Sequence, residues 1–214
     1  YFEFLRIYIS IPNPCNDTYL GMKAFQIFNK MFDIKHEGLS SILLNEKIVN
    51  DCFIHMNRIT PSFSEACQLI GHIGYLNRYL IDHLPDEFFQ LISDLLINDN
   101  DEIVITTCSM CESLCSNETL SELFIRKRKL FNNIIKTRDR NFKVAEAGIS
   151  LLSLLMEIDH PLLEWRLFKY HSLDFFISFL ATNDIDIIYK VIMSLINLFT
   201  NFIDKKKYSG APPP

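Results

Sequence analysis

Residues 175–199 read FFISFLATNDIDIIYKVIMSLINLF, and this stretch decides the fold. An aromatic, apolar run leads into the polar turn TNDID, and a longer apolar-periodic segment follows. In that segment Val191, Leu195 and Leu198 have the spacing i, i+4 and i+7, which places them on one face of a helix. The stretch therefore predicts a medium helix, a turn with side chains able to cap the next helix, and a long helix.

The long-helix pattern returns five times along the chain. Each copy begins with a small or compact residue and has apolar residues four and seven positions later. The five starting residues are Ala24, Ala66, Thr107, Ala147 and Val191, separated by 42, 41, 40 and 44 residues. A period near forty indicates a helical repeat protein, whose repeats stack to cover one another's apolar faces.

The segments between consecutive long helices divide into a short helix and a medium helix, which predicts three helices per repeat. This unit resembles the armadillo repeat. Residues 88–114 and 130–155 match it in outline, and Asn197 stands where many armadillo repeats place an asparagine. The resemblance implies an all-α, right-handed solenoid of about four and a half repeats over residues 1–204.

The resemblance also implies a binding groove along the concave side, lined by the third helix of each repeat. In the importin alpha proteins two columns of this groove hold a tryptophan and, four residues later, an asparagine. Here the paired columns hold Gln26/Lys30, Gln68/His72, Ser109/Ser113, Ile149/Ser153 and Met193/Asn197. The first column contains no tryptophan and only Asn197 fits the second, so the columns do not predict recognition of nuclear signals of that type.

The columns change from polar to apolar along the chain. The first three pairs offer amide, amine, imidazole and hydroxyl groups, whereas Ile149 and Met193 are apolar. A groove of this kind suits an extended peptide or an amphipathic partner helix. The competing interpretation is that these side chains are simply solvated.

Three of the six cysteines, Cys108, Cys111 and Cys115, crowd into CSMCESLC. The C-x2-C-x3-C spacing is compatible with a metal site, but no fourth ligand is apparent nearby. The three residues lie at i, i+3 and i+7 of one helix, and buried free cysteine usually packs like a small apolar residue. We therefore predict core packing and no metal. The sole tryptophan, Trp165, is likewise predicted to anchor the core.

A basic run at Arg126, Lys127, Arg128 and Lys129 could meet phosphate, an acidic protein or a membrane surface. Consecutive charges point around a helix, however, and therefore favour a solvated helix. The chain carries a net charge of −5, and few aromatic residues lie near the run. Nucleic acid is accordingly not the predicted partner.

No nucleotide-binding, metalloprotease or nucleophile-elbow motif is present, so we expect neither catalysis nor a cofactor. No apolar run reaches the length of a membrane span, and reduced cysteines suit a cytoplasmic or nuclear protein. The predicted function is a scaffold or adaptor that binds a protein or peptide segment along the third-helix groove.

Two alternatives remain open. The apolar N-terminal segment FEFLRIYISI favours a structural subunit whose end is covered within a larger assembly. The C-terminal residues 205–214, KKKYSGAPPP, are predicted to form a basic and then Pro-rich tail or linker, because Gly210 and three prolines cannot continue a helix. A Pro-rich segment after an armadillo-like domain resembles the arrangement in formins.

Overall fold

A computed structural model describes residues 18–33, 46–76, 84, 86–158, 160–169 and 172–208. In these ranges the chain forms α-helices and one short 3-10 helix, with no strand. The α-helices are α1 Thr18–Asp33, α2 Glu46–Asn57, α3 Phe63–Leu76, α4 Asp86–Leu95, α5 Asp101–Cys115, α6 Glu118–Arg126, α7 Arg128–Lys136, α8 Phe142–Leu155, α9 Pro161–Lys169, α10 Ser172–Phe179 and α11 Ile185–Tyr208. The 3-10 helix Thr137–Asp139 lies between α7 and α8.

The helices repeat as two shorter helices followed by a long one. Two complete three-helix units are described, α6 to α8 and α9 to α11. The long helices α1, α3, α5, α8 and α11 pack side by side in chain order, and α4, the helix before α5, packs on its counterpart α7. The predicted all-α solenoid with three helices per repeat is therefore confirmed.

Polar residues in the turns begin the helices as the sequence predicts. Asn100, Asn117 and Asn141 each accept a hydrogen bond from a backbone amide in the first turn of α5, α6 and α8. Asp184 accepts bonds from the amides of Asp186 and Ile187 at the start of α11. These side chains satisfy amides that have no partner within the helix, and so fix where α5, α6, α8 and α11 start.

Polar side chains also tie each repeat to the one before it. Asn133 donates from Nδ2 to the backbone oxygen of Ser93 at 2.8 Å, near the end of α4. Arg166 donates to the backbone oxygen of Arg126 at 3.0 Å, at the end of α6. Both donors are buried and lie 40 residues after their acceptors. Because helix C-termini leave carbonyl groups unpaired, these contacts fasten neighbouring repeats together at those ends.

One boundary and one burial prediction differ from the structure. Helix α11 continues to Tyr208, so the predicted domain end at residue 204 falls within the last helix. Trp165 is 38% exposed on α9, with the Lys169 ammonium 4.2 Å from its ring centroid, so the prediction that it anchors the core was wrong. The N-terminal apolar segment and the Pro-rich residues 211–214 lie outside the described residues.

Candidate binding face of the third helices

The long helices are the third helices of the repeats, and their N-caps define a common register. Asn100 and Asn141 are 41 residues apart, and Asn141 and Asp184 are 43 residues apart. In this register Ser109 of α5 corresponds to Ser150 of α8 and Met193 of α11. Four residues later, Ser113 corresponds to Leu154 and Asn197. We call this row of solvent-facing positions, with Gln26, Lys30, Gln68 and His72 on α1 and α3, the third-helix face.

Most of the predicted groove residues have accessible side chains. Exposed or half-buried positions are Gln26, Lys30, Gln68, His72, Ser109, Ser113, Met193 and Asn197. The structure thus leaves eight of the ten predicted residues open to a partner.

Ile149 and Ser153 are exceptions, and the prediction that they line the groove was wrong. Ile149 is 1% exposed and Ser153 is 7% exposed. The period of 40 assumed between Thr107 and Ala147 is one residue shorter than the 41 between the N-caps. One residue rotates a helix by about 100°, which turns both side chains into the core. Ser150 and Leu154, both half-buried, occupy the third-helix face instead.

The third helices approach closely because a glycine stands at a contact between them. A Cβ at Gly71 of α3 would lie 2.9 Å from the Cβ of Ser113 on α5. At Gly148 of α8 a Cβ would overlap the side chain of Thr137 in the 3-10 helix. Glycine at these positions allows α3 to approach α5, and α8 to approach the 3-10 helix, more closely than a residue with a Cβ would.

Hydrogen bonds cross the face between neighbouring third helices. The Gln26 amide donates to the Glu65 carboxylate at 3.1 Å, joining α1 to α3. The Lys190 ammonium donates to the Ser150 hydroxyl at 3.2 Å, joining α11 to α8. Sequence reasoning missed Ser150 and Lys190. The 41-residue spacing that relates Gln68 to Ser109 would have found Ser150 if it had been continued by one more repeat.

Glu112 on α5 is the charged group most affected by this environment. Burial raises the pKa of its carboxyl above the ordinary value, while Lys190 acts in the opposite direction. The carboxyl lies three residues after Ser109 on the same helix, at the position that corresponds to the buried Ser153 of α8, and so it borders the third-helix face. A partly desolvated carboxylate is stabilised by a cation or a hydrogen-bond donor brought to it.

The predicted basic run does not form an uncompensated cationic patch. Arg126 pairs with Glu122 at 3.2 Å within α6, and Lys129 pairs with Asp94 of α4 at 2.9 Å. Lys127 forms an ion pair with Asp86 of α4. Two of these carboxylates belong to the preceding repeat, 41 and 35 residues earlier. Lys127 and Lys129 therefore bridge repeats, which weakens their attraction for an external phosphate.

The cysteine trio packs in the core, as predicted. Cys108, Cys111 and Cys115 are each less than 5% exposed. Burial raises the pKa of the Cys108 thiol to about 12 and holds that of Cys111 well above its ordinary range. Thiols in this state are poor nucleophiles and poor metal ligands. Within the described ranges, no three histidine, cysteine or acidic side chains converge on a possible metal position.

None of the described helices combines the length and hydrophobicity needed to cross a bilayer.

No protein-family model and no curated protein matches the sequence. Solved structures do resemble the fold. A designed armadillo repeat protein in complex with the peptide (KR)4 is 13% identical and superposes with a TM-score of 0.58, covering 92% of this chain and 91% of that chain. An engineered protein that is 10% identical gives a TM-score of 0.55 and covers 92% and 97%. At these identities the likeness concerns the fold.

Proposed function

We propose, from its fold of armadillo-like repeats, that this chain is a non-catalytic scaffold that binds an extended segment of a partner protein along the third-helix face. The observation that carries the proposal is the row of Gln68, Ser109 and Ser150. These residues occur at intervals of 41 on three consecutive third helices, and all three side chains are accessible.

The floor of the face suits a peptide backbone. Ser109, Ser113 and Ser150 are short, and Ala147 lies one turn before Ser150 on α8. Small side chains let a bound chain come close to the helices, and each hydroxyl can donate to a peptide carbonyl and accept from a peptide amide. An extended segment has unpaired groups of both kinds, so it is the shape that we propose for the ligand.

Charge favours a basic segment. The helices α5 and α8 carry four acidic residues, Asp101, Glu102, Glu112 and Glu146, against the single lysine Lys143. Asp101 is paired with Arg140, and Lys190 of α11 offsets part of the charge of Glu112. Glu112 and Glu146 are half-buried beside the serine row, where a lysine or arginine of the partner could neutralise the remaining charge. The designed neighbour was solved with an alternating lysine and arginine peptide, which supports the same choice for this chain.

The test is direct binding of a labelled (KR)4 peptide, with a (DE)4 peptide as the charge-reversed comparison. We expect the basic peptide to bind, and its affinity to fall as salt is raised, because exposed charge interactions are screened. Ser109→Trp should block the floor, and Glu112→Gln should remove one anchor. Each variant should weaken binding about tenfold or more, a loss of about 1.4 kcal/mol.

The control is Ser178→Trp, which adds the same bulk to an exposed serine on α10. Unchanged affinity there, with loss in Ser109→Trp, assigns binding to the third-helix face. Equal affinity in the unmodified chain, Ser109→Trp and Glu112→Gln would mean that the peptide does not bind at the third-helix face. If neither peptide binds, the preference for a basic segment is wrong.

A second candidate function, a structural subunit of a larger assembly, is favoured by a different observation. Helix α11 leaves large apolar side chains uncovered, among them Ile185 at 79% and Tyr189 at 64% exposure. Exposed apolar patches of this kind commonly mark an interaction surface.

A further inference from the structure

The last described helix has a continuous apolar stripe on its solvent side. Its members are Ile185, Tyr189, Ile192, Ile196 and Phe199, which are 79%, 64%, 43%, 50% and 48% exposed. They are spaced four, three, four and three residues apart, which is the spacing of a helix-pairing seam. The stripe extends about 21 Å along the helix. We call these five residues the end stripe.

The end stripe is separate from the side of α11 that packs on its own repeats. Ile187, Val191, Ser194 and Leu198 of the same helix are each less than 4% exposed. Helix α11 contacts α8 and α10. One face of α11 is therefore already covered by the solenoid, and the end stripe is a second apolar face that requires a different partner.

The corresponding positions in the preceding repeat are buried. In the N-cap register, Ile192, Ile196 and Phe199 correspond to Ile149, Ser153 and Met156. Those three residues are 1%, 7% and 2% exposed on α8, which is flanked by α5 and α11. The fold thus covers these positions where a long helix has a neighbour on each side.

We propose that the end stripe binds the end stripe of a second copy of this chain, with the two α11 helices antiparallel and related by a twofold axis at Ile192. The stripe is nearly symmetric about this residue. Ile185 and Phe199 each lie seven positions from it, and Tyr189 and Ile196 lie three and four positions from it. Antiparallel pairing therefore sets each aromatic ring against an isoleucine of the other copy, as a self-complementary twofold interface requires.

Charge favours the antiparallel arrangement. The beginning of α11 carries Asp184 and Asp186, and lysines 205–207 lie in its last turn. Antiparallel helices with the axis at Ile192 place Asp184 and Asp186 opposite positions 200 and 198, one to two turns before the lysines of the other copy, and also oppose the two helix dipoles favourably. Parallel helices would bring like charges together at both ends.

The available area is sufficient for a dimer. The five side chains of the end stripe are 43% to 79% exposed. Each offers roughly 100 Å² of uncovered surface, so two copies would bury roughly 1,000 Å², about the smallest area expected of a specific interface.

Sedimentation velocity tests the proposal over a range of about 1 to 100 µM. We expect a concentration-dependent monomer–dimer equilibrium for the unmodified chain, and an affinity about a hundredfold weaker for Ile192→Glu, because a central interface position receives a buried charge. The matched control is Ile97→Glu, which alters an isoleucine that is 49% exposed just after α4. It should leave the dimer unchanged.

Circular dichroism checks that each variant is folded. If Ile192→Glu loses its helices, Ile185→Glu at the first turn of α11 provides the same test at a position that is 79% exposed. A chain that stays monomeric throughout overturns the proposal. Growth of the assembly beyond a dimer also overturns it, because such growth indicates head-to-tail contact. Association that disappears when residues 1–17 are deleted overturns it as well.

Cysteine crosslinking tests the antiparallel geometry. Ile192→Cys should form a disulfide with its own copy, because the axis passes through that residue. Ile185→Cys should crosslink with Phe199→Cys in a mixture of the two variants and only weakly with itself. Self-crosslinking at both ends would indicate parallel helices and contradict the proposed interface.

Discussion

Helices α8 and α11 occupy equivalent places in successive repeats, yet one is enclosed and the other is not. Helix α8 is packed between α5 and α11, whereas α11 contacts α8 on one side. Ile149 is 1% exposed, and its equivalent Ile192 is 43% exposed. The same residue type at the same repeat position is core in one helix and surface in the other. Burial in a solenoid therefore depends on whether a neighbouring repeat is present, and not on the local pattern alone.

The largest effect should come from truncating the enclosed member of this pair. We expect Ile149→Ala to lower the free energy of unfolding by about 3 kcal/mol, because it removes buried methyl groups and leaves a cavity that closely packed helices cannot fill. Urea unfolding followed by circular dichroism measures the change. A loss below about 1 kcal/mol would show that α8 and α11 are less closely packed than the structure indicates.

An intermediate, pH-dependent effect is expected at Glu112, the α5 equivalent of Ser153 and Ile196. Its pKa is raised in the folded state by burial, so the folded chain holds the proton more tightly than the unfolded chain does. The ionised carboxyl therefore costs stability at neutral pH, and this cost disappears as the pH falls below the ordinary pKa of glutamate.

We accordingly expect Glu112→Gln to stabilise the protein at about pH 7.5, where the carboxyl is ionised, and to change little at about pH 4. Melting temperatures at the two pH values provide the measurement. Destabilisation at neutral pH would mean that the attraction between Glu112 and Lys190 outweighs the cost of burying the carboxylate.

The smallest effect should come from the exposed member of the pair. Ile192→Ala is expected to change the unfolding free energy by less than about 0.5 kcal/mol when measured at a protein concentration low enough to keep the chain monomeric. Repeating the urea titration at high concentration gives the contrast, since a dimer adds stability by mass action. A large loss at low concentration would place Ile192 in the monomer core and remove the difference between the two helices.

The sequence predicted the repeat organisation well because its signals are local. Helix starts follow from Asn100, Asn141 and Asp184, and the core cysteines follow from their spacing on one helix face. The register of α8 was harder to predict, because Ala147 and Gly148 are both small and either residue can stand at the start of the long-helix pattern. Choosing Ala147 turned Ile149 and Ser153 toward the groove.

Contacts between repeats also lay beyond sequence reasoning. The acids that pair with Lys127 and Lys129 are Asp86 and Asp94, about forty residues earlier. Nothing local to the basic run identifies them as its partners. The charge of the basic run is compensated because α4 and α7 pack side by side.

The distribution of cysteine and tryptophan gives two parts of the molecule separate reporters. Every cysteine precedes residue 116, and the sole tryptophan, Trp165, lies on α9. The five described thiols are buried, so alkylation of Cys52, Cys67, Cys108, Cys111 and Cys115 requires the helices from α2 to α5 to open. Fluorescence of Trp165 follows the helices after α5. Comparing the two signals in one unfolding experiment measures directly how cooperatively the repeats are coupled along the chain.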